Sequence, residues 1–141
     1  MRLGEPTEFR NEKGELHRLD GPAYVDSSGN RMWFQNGDLH RLDGPAIETI
    51  DGSHDWYQNG LRHRDNGPAY ADAAGNRSWW KHGALHRLDG PAIEYSDRTE
   101  AWHIEGYDIT VDVELWLQEQ KIKLPMTESE LAFFILKFVG K

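Results

Sequence analysis

One octapeptide recurs along this chain at a fixed interval, and it constrains the fold more than any other feature. It reads LHRLDGPA in three copies and RHRDNGPA in a fourth. Its histidines are 23 residues apart, and so are the tryptophans that follow half a period later. These residues are His17, His40, His63 and His86, and Trp33, Trp56, Trp79 and Trp102. Such a period predicts a repeat architecture, in which each unit buries its apolar face on its neighbours.

Each period has the features of antiparallel β-hairpins. Asn36-Gly37 and Asn59-Gly60 suit a tight type I′ turn, because both central positions of that turn need a positive φ. Asp43-Gly44-Pro45 then ends the unit, since Pro fixes φ and has no backbone donor. We therefore predict a mainly β fold, with about four and a half hairpin units forming one long twisted antiparallel sheet over residues 1–106. Residues 1–14 should form a degenerate N-terminal cap.

A two-residue turn fixes which side chains share a face of the sheet. Phe34 should pair with Leu39 and Trp33 with His40, on opposite faces. We expect the tryptophans to be core residues, because burying an aromatic side chain contributes about 2–3 kcal/mol. The opposite face carries a column whose identity changes from unit to unit. That column is Phe34, Tyr57, Trp80 and His103. Because a binding surface needs distinct groups, we predict that its first three members bind a partner.

The repeat pattern stops after Gly106, and residues 107–141 have the features of a helical cap in the same domain. Thr127 and Glu130 match a capping box at the start of the second helix. That helix is apolar on most sides, so it should be buried. It could cover one face of the sheet or cap the last hairpin. A partner interface could also lie on this helix around Phe133 and Leu136, and the helix could form a homo-oligomer contact.

Composition limits the classes of function. The chain has 141 residues, no cysteine and a net charge of −8. No apolar run reaches membrane-spanning length, and the N-terminus lacks the apolar segment of a signal peptide. We therefore expect a single-domain, soluble, cytoplasmic protein. The negative charge argues against nucleic-acid binding, which needs clustered Lys and Arg.

The repeated units resemble a known family. LHRLDGPA followed by W-x-x-N-G is similar to the MORN-like "LHRxDGPA" repeats of large bacteriophages, giant viruses and some bacteria. The resemblance covers about Gly14 to Gly106, although the Tyr-x-Gly pattern of true MORN repeats is missing. It implies a sheet of β-hairpin repeats, a viral or prophage origin, a location in the host cytoplasm and a binding role. It implies no enzyme activity.

These features predict a protein-interaction module, in the form of a phage-encoded modulator or inhibitor of a host protein, that needs no cofactor. The alternative is a protein that binds or sequesters a small anionic ligand such as a nucleotide. The first hypothesis assigns binding to Phe34, Tyr57 and Trp80. The second adds Arg41 and Arg64, because guanidinium groups form charge-assisted hydrogen bonds with phosphate.

Catalytic and metal chemistry have less support in the sequence. A hydrolase that uses the His/Asp pairs is the third alternative, but no Ser or Thr recurs at a fixed offset from the histidines to act as nucleophile. Zinc needs three or four ligands that converge within about 2.0–2.2 Å, whereas equivalent histidines of a repeat sheet are spread along it. We predict no catalytic residue and no metal. Instead, the histidines should pack on the tryptophans, and Asp20, Asp43 and Asp89 should cap the turn before Pro.

Overall fold

The computed structural model describes residues 4–140, and within them it contains seventeen two-residue strands and two helices. The strands are β1 (Thr7–Glu8), β2 (Tyr24–Val25), β3 (Arg31–Met32), β4 (Phe34–Gln35), β5 (Asp38–Leu39), β6 (Ile47–Glu48), β7 (His54–Asp55), β8 (Tyr57–Gln58), β9 (Leu61–Arg62), β10 (Tyr70–Ala71), β11 (Arg77–Ser78), β12 (Trp80–Lys81), β13 (Ala84–Leu85), β14 (Ile93–Glu94), β15 (Glu100–Ala101), β16 (His103–Ile104) and β17 (Tyr107–Asp108). The helices, α1 (Thr110–Gln120) and α2 (Glu128–Phe138), both follow the repeats.

Nine strands form one long antiparallel sheet in the order β1-β2-β3-β6-β7-β10-β11-β14-β15. Each full unit adds a hairpin to this sheet. In the first unit, for example, Tyr24 pairs with Met32, and Met32 pairs in turn with Ile47 of the next unit. The prediction of a mainly β fold built from antiparallel hairpins, with helices at the C-terminal end, is confirmed.

A second row of hairpins runs beside the long sheet, as the separate pairs β4-β5, β8-β9, β12-β13 and β16-β17. The predicted register is confirmed, since Phe34 pairs with Leu39. The turn residues Asn36 and Gly37 have φ of 50° and 82°, as a type I′ turn requires. His82 and Glu105 adopt the same positive φ where the sequence has no Asn, at 47° and 49°.

The prediction of one continuous sheet is wrong in one respect, because the chain changes its pairing partners at each repeated tryptophan. The backbone N–H of Trp33 donates to the carbonyl of Ala46 in the next unit (2.7 Å), while its carbonyl accepts from His40 of its own hairpin (3.0 Å). Trp56 and Trp79 make the same pair of bonds. The strand therefore leaves the long sheet at each tryptophan and enters the second row.

The N-terminal residues repeat this pattern with Phe9 in place of a tryptophan. Its N–H donates to the carbonyl of Ala23 (2.8 Å), and its carbonyl accepts from His17 (2.9 Å). One residue more separates Phe9 from His17 than separates Trp33 from His40, so the turn between them is longer. These residues thus supply the half-unit on which the first full unit packs.

The two helices cap the last unit. Their buried residues Val113, Trp116 and Phe134 form one cluster with Trp102 and Ile104 of the repeats. The ring of Phe134 lies 5.4 Å from that of Trp102. No further unit follows Trp102 in the sheet, and Thr110, the first residue of α1, supplies the acceptor for its N–H. The Thr110 Oγ1 accepts this N–H (2.8 Å), whereas in the other units the carbonyl of an alanine in the next unit accepts it. Of the two placements that the sequence left open, the structure shows the cap of the last hairpin.

The capping box at the start of α2 is confirmed. The N–H of Glu130 donates to Thr127 Oγ1 (3.2 Å), and the N–H of Thr127 donates to Glu130 Oε1 (2.9 Å). Both bonds satisfy donors that the first turn of a helix otherwise leaves without partners. In the part of the chain that the structure describes, neither helix has the length and apolar character to cross a membrane.

The expectation that all four tryptophans are core residues is wrong. Trp102 is 2% exposed, but Trp33, Trp56 and Trp79 are only half-buried. The fully buried residues that the repeats share are small: Ala23, Ala46, Ala69 and Ala92 are all 0% exposed. The core of aromatic residues is therefore confined to the C-terminal cap.

Candidate functional site

An arginine of the octapeptide lies over the aromatic ring of each unit. The distance from guanidinium carbon to ring centroid is 4.2 Å for Arg18 and Phe9, 3.9 Å for Arg41 and Trp33, 4.1 Å for Arg64 and Trp56, and 3.8 Å for Arg87 and Trp79. Such cation–π contacts contribute about 0.5–1 kcal/mol at exposed sites and about 2 kcal/mol when desolvated. Each arginine thus packs against the ring of its unit, as Phe134 packs against Trp102 in the cap.

The rest of the octapeptide holds this arginine in place. Arg41 donates from Nε to Asp43 Oδ1 (3.1 Å) and from Nη1 to the carbonyl of Pro45 (3.0 Å). A side chain at Gly44 would place its Cβ 2.6 Å from the guanidinium carbon, so any larger residue would displace the guanidinium from this position. The predicted turn-capping role of Asp43 is wrong, because its carboxylate binds the arginine instead. The same contacts recur at Asp20 and Asp89.

The histidines join each hairpin to the next, rather than packing on tryptophan as expected. Their Nδ1 atoms accept the backbone N–H of a turn residue in the following unit, always at 3.0 Å. The pairs are His17 with Asn36, His40 with Asn59, His63 with His82, and His86 with Glu105. An accepting Nδ1 requires the neutral ring with its proton on Nε2. Burial lowers the pKa of His86; Lys81 also lowers it, while Glu105 opposes the shift.

One apolar position of the octapeptide is exposed to solvent. Leu19, Leu42 and Leu88 are 76%, 68% and 37% exposed, and Asp65 takes their place in the third unit. Single exposed leucines are ordinary on protein surfaces. Here, however, the same exposed position is apolar in three units of four. We call the surface formed by these three leucines and the neighbouring arginines (Arg18, Arg41, Arg64 and Arg87) the loop face.

Open clefts separate successive loops on the loop face. Leu19 and Leu42 lie on either side of a cleft of about 640 Å³, which Trp33 also lines. Smaller clefts of about 280 and 490 Å³ lie on the two sides of Arg64. The loop face is therefore a row of shallow grooves with apolar side chains between them.

The predicted aromatic column occupies equivalent positions in successive hairpins, but its members are half-buried. Tyr57 and Trp80 flank the guanidinium of Arg62, with ring centroids 5.5 and 4.9 Å from its carbon. Tyr70 of the long sheet lies 5.4 Å from the same group. Part of the column's surface is therefore used in packing on Arg62, while Phe34 faces Leu39 across its hairpin.

Sequence reasoning missed the ion pair that explains this packing. Arg62 binds Asp55 through two bonds of 2.7 Å, and Asp55 is buried. Burial raises the pKa of the Asp55 carboxyl against the opposing effect of Arg62, and the bond to Asp55 raises the pKa of Arg62. The signal was present in the sequence, because the third unit replaces a repeated leucine with Arg62 and the second unit places an acid at Asp55.

The two predicted arginines differ in their partners. Arg41 binds Asp43, the carbonyl of Pro45 and Glu48, the last at 2.8 Å. Within the described part of the chain, the side chain of Arg64 donates a hydrogen bond only to the carbonyl of Pro68 (3.1 Å). Among residues 4–140, no carboxylate forms an ion pair with Arg64. Desolvation on burial lowers its pKa. Of the predicted binding residues, Arg64 is thus the one whose charge is not matched.

Comparison with family models, curated proteins and solved structures finds no match to this chain. Function must therefore be inferred from the site. Across the described residues, no group of three or more His, Asp and Glu side chains is placed to hold a metal ion. What the loop face offers is exposed apolar side chains, arginine–aspartate pairs and one arginine without an acid.

Proposed function

We propose that this chain is a protein-interaction module and that its contact surface is the loop face. The observation that carries the proposal is the exposure of Leu19, Leu42 and Leu88 within a motif whose other residues have structural contacts. The repeated leucine leaves apolar surface exposed to water at Leu19 and Leu42, and to a smaller extent at Leu88. Burial of this surface in an interface would favour binding, since fully burying an exposed leucine contributes about 1.5–3 kcal/mol.

The shape of the loop face suits a protein partner. Successive units are two strands apart in the long sheet, which corresponds to about 9.6 Å. The three leucines therefore extend over roughly 29 Å, a length suited to an interface of about 800 Å² on each partner. Shallow grooves in a row suit a chain segment better than a compact ligand, which favours enclosed pockets.

The biological form of this function is a phage-encoded modulator or inhibitor of a host protein in the host cytoplasm. The family resemblance supports that form, because the similar repeats belong to large bacteriophages, giant viruses and some bacteria. A binding module of this kind would act by covering a surface of its target, without a cofactor and without a catalytic residue of its own.

Binding of a small anion is the second candidate, and the unmatched charge of Arg64 is the observation that favours it. Arg41 would contribute less, because its guanidinium already binds two carboxylates and a carbonyl. A nucleotide-like ligand would then depend on one arginine beside the half-exposed ring of Trp56.

The proposed function predicts that the triple variant Leu19→Asp, Leu42→Asp, Leu88→Asp loses its partner while remaining folded. Aspartate is chosen because Asp65 occupies this position in the third unit. We expect the affinity to fall at least about 100-fold, since three apolar contacts are lost. The measurement is affinity capture from a bacterial lysate, followed by titration of the partner against both proteins, with a thermal melt to check the fold.

The matched control is Phe133→Ser with Leu136→Ser, which removes two apolar residues that are 64% and 74% exposed on α2. It should keep the partner. The proposal is wrong if the leucine variant retains full affinity. Loss in the α2 variant would place the interface on the helical cap, and loss in Tyr57→Ala with Trp80→Ala would place it on the aromatic column.

A further inference from the structure

The repeats provide an internal comparison for Arg64. In the other three units an aspartate two residues after the arginine accepts from its Nε. The distances are 3.0 Å for Arg18 and Asp20, 3.1 Å for Arg41 and Asp43, and 2.9 Å for Arg87 and Asp89. In the third unit Asn66 stands at the position of this aspartate. The Nε of Arg64 has no partner among the described residues.

The guanidinium of Arg64 is nevertheless held where the others are held. It lies over Trp56 at 4.1 Å and donates from Nη1 to the carbonyl of Pro68, as its equivalents donate to theirs. This placement persists although the loop backbone differs, with Gly67 at a φ of 144°. The guanidinium that binds a carboxylate in the other three units is therefore held in the same place in the third unit, where the carboxylate is missing.

The neighbouring acids do not replace it. Asp65 is bound by His63 Nε2 at 3.0 Å and by Lys81 Nζ at 3.4 Å, and these bonds lower its pKa. Ala71 stands where Glu48 binds Arg41 in the unit before. Arg64 also forms a wall of both adjacent clefts, one of which reaches Leu42 and the other Leu88. An external group can thus reach it between two exposed leucines.

We infer that Arg64 binds a side-chain carboxylate of the partner protein, seated between Leu42 and Leu88. The inference rests on the proposed function and adds the chemistry of the segment that the loop face recognises. Each leucine lies one unit from Arg64, which is about 10 Å or three residues of extended chain. The partner segment would therefore carry an Asp or Glu with an apolar side chain about three residues away on each side. The charge-assisted bond would fix its register.

The test uses acetate as the carboxylate probe and the full chain as the protein, at constant ionic strength. The readout is the ¹⁵N–¹H signal of each arginine Nε. We expect the Arg64 signal to shift saturably and those of Arg18, Arg41 and Arg87 to stay unchanged. Asn66→Asp supplies the internal carboxylate and should weaken acetate binding at least about tenfold, the value of one charge-assisted hydrogen bond. Asp20→Asn should create a second responding arginine, Arg18.

Three results would overturn the inference: no shift at Arg64, equal shifts at all four arginines, or unchanged binding in Asn66→Asp. Inorganic phosphate is the competing probe, and binding at Arg64 about tenfold tighter than acetate would assign the site to a phosphate ligand instead. A variant with Leu19→Ser, Leu42→Ser and Leu88→Ser, which adds no carboxylate to the clefts beside Arg64, should still bind acetate. If Arg64 does not respond to acetate but capture of the partner still depends on the leucines, this inference alone is rejected. If Arg64 responds to acetate but capture does not depend on the leucines, the proposed interaction surface is rejected.

Discussion

Trp102→Ala is expected to lower the free energy of unfolding by about 3–5 kcal/mol, the usual effect of truncating an aromatic residue in a core. Trp102 is 2% exposed, packs on Phe134 and joins the repeats to both helices. Its removal would leave a cavity at the one place where the two parts of the chain share a core. The loss should therefore appear in melts of the whole chain.

Trp56→Ala is the matched comparison and should cost only about 1–2 kcal/mol, since the half-buried ring loses chiefly its contact with Arg64. Denaturant unfolding monitored by circular dichroism measures both values. Equal losses in the two variants would mean that the repeated tryptophans are equally buried. That result would contradict the distinction drawn between arginine-covered rings and the buried core of the cap.

Acidification from pH 7 to pH 5 is expected to destabilise the protein by about 1 kcal/mol through the hydrogen bond that His86 Nδ1 accepts from the N–H of Glu105. Protonation turns Nδ1 from an acceptor into a donor that opposes the backbone N–H of the next hairpin. The pKa of His86 is lowered in the folded state, so the unfolded state binds more protons. This contribution is fully present above the unfolded pKa of about 6.5 and is lost as the pH falls from there through the lowered folded pKa of His86.

The variant His86→Asn isolates this effect, because the asparagine Oδ1 can accept the same N–H and does not titrate. Its stability should fall by about 1 kcal/mol less than that of the parent chain between pH 7 and pH 5. The turn aspartates do not interfere, since hydrogen bonds such as that from Asn30 to Asp26 hold their pKa below the usual 3.8. Denaturant unfolding at several pH values measures this difference. Equal changes in the free energy of unfolding of the parent chain and the variant would contradict the account.

The backbone of this fold could be predicted from the sequence because turns and period are local features. Asn36-Gly37 fixed the hairpin and hence the pairing of Phe34 with Leu39. Thr127 and Glu130 marked the start of α2. The break at Trp33 could not be predicted, because it depends on a bond from its N–H to Ala46 in the next unit, which no local pattern encodes.

Side-chain environments were predicted less well, because they depend on contacts between units. The tryptophans were expected to be core residues on hydrophobicity alone, and the arginine that covers each of them follows only from the folded geometry. The role of His40 depends on the hydrogen bond that its Nδ1 accepts from the N–H of Asn59 in the next unit. Likewise, the exposure of Leu42 depends on the folded geometry of its loop.

Site-specific photo-crosslinking tests most directly whether the loop face is the interaction surface. A benzophenone side chain would replace Leu42 on the loop face, Phe34 in the aromatic column or Phe133 on α2, each in an otherwise unchanged chain. Irradiation in a bacterial lysate should give one discrete crosslinked protein from position 42 and none from positions 34 and 133. A crosslink that forms from position 34 or 133 while position 42 gives none would contradict the account.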